Sequence, residues 1–187
     1  DIDNQSFSPK GLAYSLKQNA EAEGKTESEY LAELDLLDKE EIAAVADQLN
    51  IPNANADRLY NNSKVPFGYN YVDKNYKITH DYDDQGEHGS HVEGIAAANA
   101  YIPQRDGSFA EAMELVNVKG VAPDAQIITM KVFGASGGAY DSDYMVAIED
   151  AIVLGCDSVN LSLGSGSSGF SFNKTYQDIL TSLQETD

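Results

Sequence analysis

His88 and His91 stand three residues apart in Gln85-Gly86-Glu87-His88-Gly89-Ser90-His91-Val92-Glu93-Gly94, and they are two of only three histidines in the chain. Three kinds of chemistry or structure place histidines in such company. The first is a metal centre. On a helix, residues three apart share a face, yet a zinc site needs three or four ligands. The pattern HExxH is absent, and His80 lies on the far side of an acidic stretch, so no metal is assigned to these residues. The second is a polar residue that merely starts a helix. The third is a general base, a neutral imidazole that takes a proton from a nucleophile. That base needs a carboxylate to orient it and a nucleophile to serve.

Other reactive groups are sparse. Asp81, Asp83 and Asp84 precede His88 and offer carboxylates. Ser162 and Ser165 sit beside a glycine-rich turn, but neither has the surroundings of a nucleophile elbow. The single cysteine, Cys156, excludes an internal disulfide. Its apolar neighbours make it a small buried thiol.

The elements that hold these groups are legible in outline. Ser8-Pro9 is a helix start, with Pro at the first helical position. Leu12, Leu16 and Ala20 then recur every four residues until Gly24. Thr26 with Glu29, and Asp38 with Glu41, have capping-box spacing, opening helices over YLAELDLL and EEIAAVADQLN. A polar linker, NANADRLYNNSK, follows. Beyond it the pattern changes. GYNYV (68–72), AQIITMKVF (125–133) and DSVNLSLG (157–164) are of strand length and composition. HVEGIAAANA, DYMVAIEDAIVLG (143–155) and YQDILTSLQE are helical. Such alternation predicts an α/β fold with a parallel sheet flanked by helices.

Composition narrows the function classes. Thirty-one acidic residues against 12 basic ones give a net charge of −19 over 187 residues. Nucleic-acid binding relies on clustered Lys and Arg, which this chain lacks. The same deficit disfavours an anionic membrane surface. No apolar run is long enough to span a bilayer. Calcium-binding acidic loops remain conceivable, but EF-hand spacing is absent and no calcium site is assigned.

His88-Gly89-Ser90-His91-Val92-Glu93-Gly94 resembles the His-Gly-Thr-His-Val-Ala-Gly box of subtilisin-like serine proteases. Three further stretches follow in that family's order. Gly120-Val121-Ala122-Pro123-Asp124-Ala125 is similar to its turn before a strand. Met130-Lys131-Val132-Phe133-Gly134 is similar to its Val-Lys-Val-Leu-Gly strand. Asp157-Ser158-Val159-Asn160-Leu161-Ser162-Leu163-Gly164 is similar to its Asp-Val-Ile-Asn-Met-Ser-Leu-Gly. The preceding PFGYNYVD resembles the cell-envelope branch of Gram-positive bacteria, the lactocepin and C5a-peptidase type.

The resemblance implies an incomplete subtilisin-like fold with an N-terminal helical insertion. It divides the chain into a segment that follows the family's Asp box (1–8), the insertion and linker (9–64), and a partial catalytic domain (65–187). It makes His88 the catalytic base and His91 structural. It places an extended polypeptide substrate between Gly137 and Gly138 on one side and Ser162, Leu163 and Gly164 on the other, added as a strand. It implies no cofactor and an extracellular or wall-attached location.

The chain departs from the family in what it lacks. No Asp-(Thr/Ser)-Gly-(Ile/Val)-Asp box, no Ala-Ala-Gly-Asn stretch and no Gly-Thr-Ser-Met-Ala box occurs in the 187 residues. DIDNQSF fits the residues that follow the Asp box, which aligns Asp1 with its second Asp. Asn160 belongs to the earlier strand and is not the oxyanion-hole asparagine. The expectation is a fragment of a secreted endopeptidase, inactive alone, whose partner is the remainder of the protease domain. The alternatives are a non-catalytic peptide-binding module and an interaction fragment docking through the acidic helices of 9–50.

Overall fold

A computed structural model describes residues 2–79, 86–135, 137–164 and 174–185. A short 3-10 turn, Gln5–Phe7, leads into helix α1 (Pro9–Ala22), α2 (Glu27–Leu31), α3 (Lys39–Val45) and α4 (Ala56–Leu59). Strand β1 (Phe67–Asn70) precedes α5 (His88–Ala97), the hairpin strands β2 (Tyr101–Pro103) and β3 (Phe109–Glu111), and α6 (Ala112–Leu115). Then come β4 (Ile128–Lys131), α7 (Asp141–Val153) and α8 (Lys174–Glu185).

β1 and β4 pair in parallel, Phe67 opposite Ile128 and Asn70 opposite Lys131. Side chains alternate across a strand, so the pair has two faces. Phe67 and Tyr69, with Ile128 and Met130, join a cluster that also holds Ala147 and Leu154 from α7 and its C-cap. On the opposite face Thr129 meets Glu93 of α5, its hydroxyl donating to the carboxylate at 2.8 Å. The sheet therefore lies between α5 and α7, the layering expected of an α/β fold.

Residues between Leu37 and Tyr60 share this core. Ile42, Leu49, Ile51 and Leu59 are buried in the same cluster as Phe67 and Tyr71. Asp150 of α7, fully buried, accepts from the Tyr71 hydroxyl (2.8 Å) and from the backbone N–H and side-chain amide of Asn50 (2.8 and 3.0 Å). Gln126, just before β4, brackets Leu37: it accepts from the Leu37 N–H at 2.8 Å and donates to the Leu37 carbonyl at 3.0 Å.

Several expectations meet the structure directly. Both capping boxes form in full, with Thr26 and Asp38 as N-caps. Pro9 opens α1, although Ser8 makes no side-chain cap bond. The helix begun at Thr26 covers only five residues, because the Glu33 and Leu34 N–H groups tighten onto carbonyls three residues back, those of Tyr30 and Leu31. The linker contains α4, capped by Asn55. Residues 157–164 form no ladder. They keep a strand-like alternation all the same: Val159, Leu161 and Leu163 are half-buried, and Ser158, Asn160, Ser162 and Gly164 are exposed. A strand needs a bonded neighbour, and this stretch has none among the described residues. The acidic residues Asp81, Asp83 and Asp84, together with His80 and Ser165, lie outside the described residues.

Candidate functional site

His88 is the first residue of α5 and is exposed. The turn below it closes where the His91 N–H donates to the Glu87 carbonyl at 2.9 Å. Small residues let α5 sit close to its surroundings, with Gly94, Ala97 and Ala98 buried.

The far end of the helix is held by the stretch that sequence comparison singled out as a turn. A helix leaves its last carbonyls unbonded. Here the N–H groups of Gly120, Val121 and Ala122 donate to the carbonyls of Ala98, Ile95 and Ala96 at 2.9, 3.0 and 2.8 Å. A side chain at position 120 would run into the backbone of Ala97 and Ala98, so the close approach requires glycine.

That turn is anchored in its own right. The ammonium of Lys64, fully buried, donates to the carbonyls of Pro123 (2.7 Å) and Ala125 (2.6 Å). Burial pushes its pKa down to about 8, against the opposing pull of Asp124. Asp124 in turn accepts from the Asn19 amide of α1 at 2.8 Å. His88 is thus positioned through α5 by the 120–125 turn, and that turn by Lys64 and Asn19.

α5 opens on a cleft of about 1140 Å³. His88 and Gly89 line it together with Gly137, Ser162 and Leu163. Gly138 and Gly164 are exposed beside it and are not part of its lining. The glycine segment is a turn in which the Gly134 N–H donates to the Gly138 carbonyl (3.0 Å) and the Gly137 N–H to the Gly134 carbonyl (2.9 Å). Gly137 has φ of +79°, which side chains rarely adopt. This turn engages one backbone group from each of the two glycines. On the opposite wall the Ser162 hydroxyl accepts from the Asn160 amide at 2.9 Å. Ser162 bonds to an amide there rather than to a base.

Sequence reasoning passed over Glu93. It lines the cleft, is half-buried, and desolvation raises its pKa despite the Thr129 hydrogen bond. The signal was available, since a carboxylate stands where the family box has alanine. Cys156 also borders the cleft, and burial pushes its thiol up to about 11, which suits an inert side chain more than a nucleophile. Among the described residues no group of three or more His, Cys, Asp or Glu side chains is arranged to hold a metal ion. No helix among them is long and apolar enough to cross a membrane.

A parallel pair with α5 on one face and α7 on the other is consistent with an incomplete subtilisin-like α/β fold. The chain belongs to the subtilase family, whose model matches residues 12–186. It is 43% identical over 122 residues to the PI-type proteinase of Lactococcus lactis subsp. cremoris, covering 64% of this chain and 6% of that protein. It is 37% identical over 103 residues to the minor extracellular protease Vpr of Bacillus subtilis, covering 52% of this chain and 11% of that protein. It is 34% identical over 102 residues to a C5a peptidase of Streptococcus pyogenes, covering 51% of this chain and 8% of that protein. No solved structure matches. The chain therefore spans a small part of the length of these relatives.

Proposed function

We propose that the chain is part of a secreted or wall-attached serine endopeptidase in which His88 is the general base. His88 takes the proton of a serine hydroxyl as its oxygen attacks the substrate carbonyl carbon. It then passes that proton to the leaving amine, and water hydrolyses the acyl-enzyme. Gly137, Gly138, Ser162, Leu163 and Gly164 flank an extended polypeptide substrate, bound through its main chain. The serine, the orienting aspartate and the oxyanion-hole asparagine come from protease polypeptide beyond these 187 residues. No cofactor enters the scheme.

The observation that carries this reading is the opening of His88 onto the same cleft as Gly137, Ser162 and Leu163. The 187-residue chain alone is then inactive, because a base without nucleophile and oxyanion donors gives little beyond water-like rates. The test is exposure of the purified chain to a casein-type substrate and to a fluorophosphonate, which labels activated serines. No cleavage and no label are expected. Cleavage that disappears in His88→Ala would show that the chain carries its own complete site and overturn the proposal.

A further inference from the structure

The two ends of α5 are held unequally, and His88 stands at the weaker one. The helix begins without a side-chain cap bond. Glycine stands at 89 and 94, and glycine inside a helix weakens it relative to alanine. His88, Gly89 and His91 are exposed, and the first buried residue of the helix is Gly94. The far end is packed and bonded. Ala97 and Ala98 lie in a cluster with Phe7, Val65 and Ile127, and the turn at 120–122 bonds the carbonyls of Ile95, Ala96 and Ala98.

Glu93 supplies a tie closer to the base. Five residues separate it from His88, which is about 7.5 Å along a helix axis and roughly 140° around it. Glu93 therefore meets the sheet from a different side of α5 than the one that carries His88. Its Oε1 accepts from the Thr129 hydroxyl at 2.8 Å, across 36 residues of sequence. Away from bulk water such a bond is stronger than at the surface. Thr129 is a firm post. It lies in β4 opposite Gly68 of β1, and its branched side chain has few rotamers. Alanine, the residue of the family box at this place, has no group that could accept from it.

We propose that Glu93 is a positioning residue, which moors the front half of α5 to β4 through Thr129 and so holds the His88 imidazole where a nucleophile can meet it. This rests on the reading of His88 as the general base. Proton transfer requires heavy atoms roughly 2.6–3.2 Å apart. A misplacement of about 1 Å can cost about 10²-fold in rate. A helix released from Thr129 slows the chemical step and leaves substrate binding nearly as it was.

The test uses the polypeptide encoded by the complete gene, at a temperature where circular dichroism shows each variant folded. Glu93→Ala and Thr129→Val each remove one half of the bond, whereas Glu93→Gln keeps an oxygen that accepts from Thr129. Each of the first two should lower kcat about tenfold or more, with KM changed less than about twofold. The double variant should be no slower than the slower single one, since all three lack the same bond. Glu93→Gln should recover the rate to within about threefold. A purely structural tie would lower Tm and spare kcat in the folded protein, and that result overturns the proposal. Losses that multiply in the double variant overturn it too, as does a Glu93→Gln protein as slow as Glu93→Ala. If Glu93→Ala does not fold, Thr129→Val decides by the same kcat criterion. His88→Ala, measured in parallel, separates the two readings. If it abolishes hydrolysis while Glu93→Ala and Thr129→Val keep their kcat, the mooring alone falls. If it keeps its rate, the base assignment falls and takes the mooring with it.

Discussion

Lys64 gives the account a quantitative test, because its pKa moves in a direction that few structural lysines share. Its ammonium is buried against the Pro123 and Ala125 carbonyls, and its pKa falls from an ordinary 10.5 to about 8. Between those values the unfolded chain holds a proton that the native chain has released, so stability rises with pH. Over pH 8 to 9.5 this amounts to about 1–2 kcal/mol. Cys156 acts in the opposite sense. Its thiol keeps its proton to about 11 in the native state, against 9 when unfolded, so stability is lost as pH rises above 9. Over the same window that removes roughly 1 kcal/mol. Tyr69 and Tyr71, both shifted upward by burial, act in the same sense as Cys156 as pH approaches 10.

The two large effects nearly cancel in the natural chain and separate in variants. Urea unfolding followed by circular dichroism should give a nearly flat stability from pH 8 to 9.5. Cys156→Ala should gain about 1 kcal/mol across that window, and Lys64→Met should lose about 1 kcal/mol. The divergence of the two variants, about 2 kcal/mol, is the diagnostic. If Lys64→Met tracks the natural chain at every pH, the buried ammonium is not the group that anchors the 120–125 turn in the way described.

Two further perturbations probe the same chain of support. Gly120→Ala forces a Cβ into the backbone of Ala97 and Ala98. It should destabilise by about 1–3 kcal/mol, a fall in Tm of roughly 2–4 °C per kcal/mol by calorimetry; an unchanged Tm would mean that the turn does not clamp α5. Ile42→Ala empties a fully buried position shared with Phe67 and Leu154. A loss of about 2–5 kcal/mol is expected, and a loss well below 1 kcal/mol would make α3 peripheral to the core.

Local features were legible in the sequence and pairings were not. The capping boxes at Thr26 and Asp38 form because each needs only residues three positions apart. The helix at His88 follows from its own composition. Residues 157–164 have strand composition, yet a ladder depends on a neighbour that composition cannot supply. The hairpin at 101–111 was passed over despite its Asp106-Gly107 dipeptide, a hairpin signal between two short runs. The bracket of Leu37 by Gln126 and the approach of Asn50 to Asp150 join residues 89 and 100 positions apart. No local pattern encodes those. The four family-like stretches were found as strings, and the structure supplies the reason for one of them: Gly120, Val121 and Ala122 bond the carbonyls at the end of the helix that His88 begins.

The most direct test of the central claim is the rate of protein hydrolysis by the polypeptide encoded by the complete gene, with and without His88→Ala. A general base at position 88 predicts a fall in kcat of roughly 10⁴-fold or more, with KM little changed. His91→Ala, measured alongside, should act through stability rather than on the chemical step. A His88→Ala protein that keeps its rate within about tenfold would contradict the assignment.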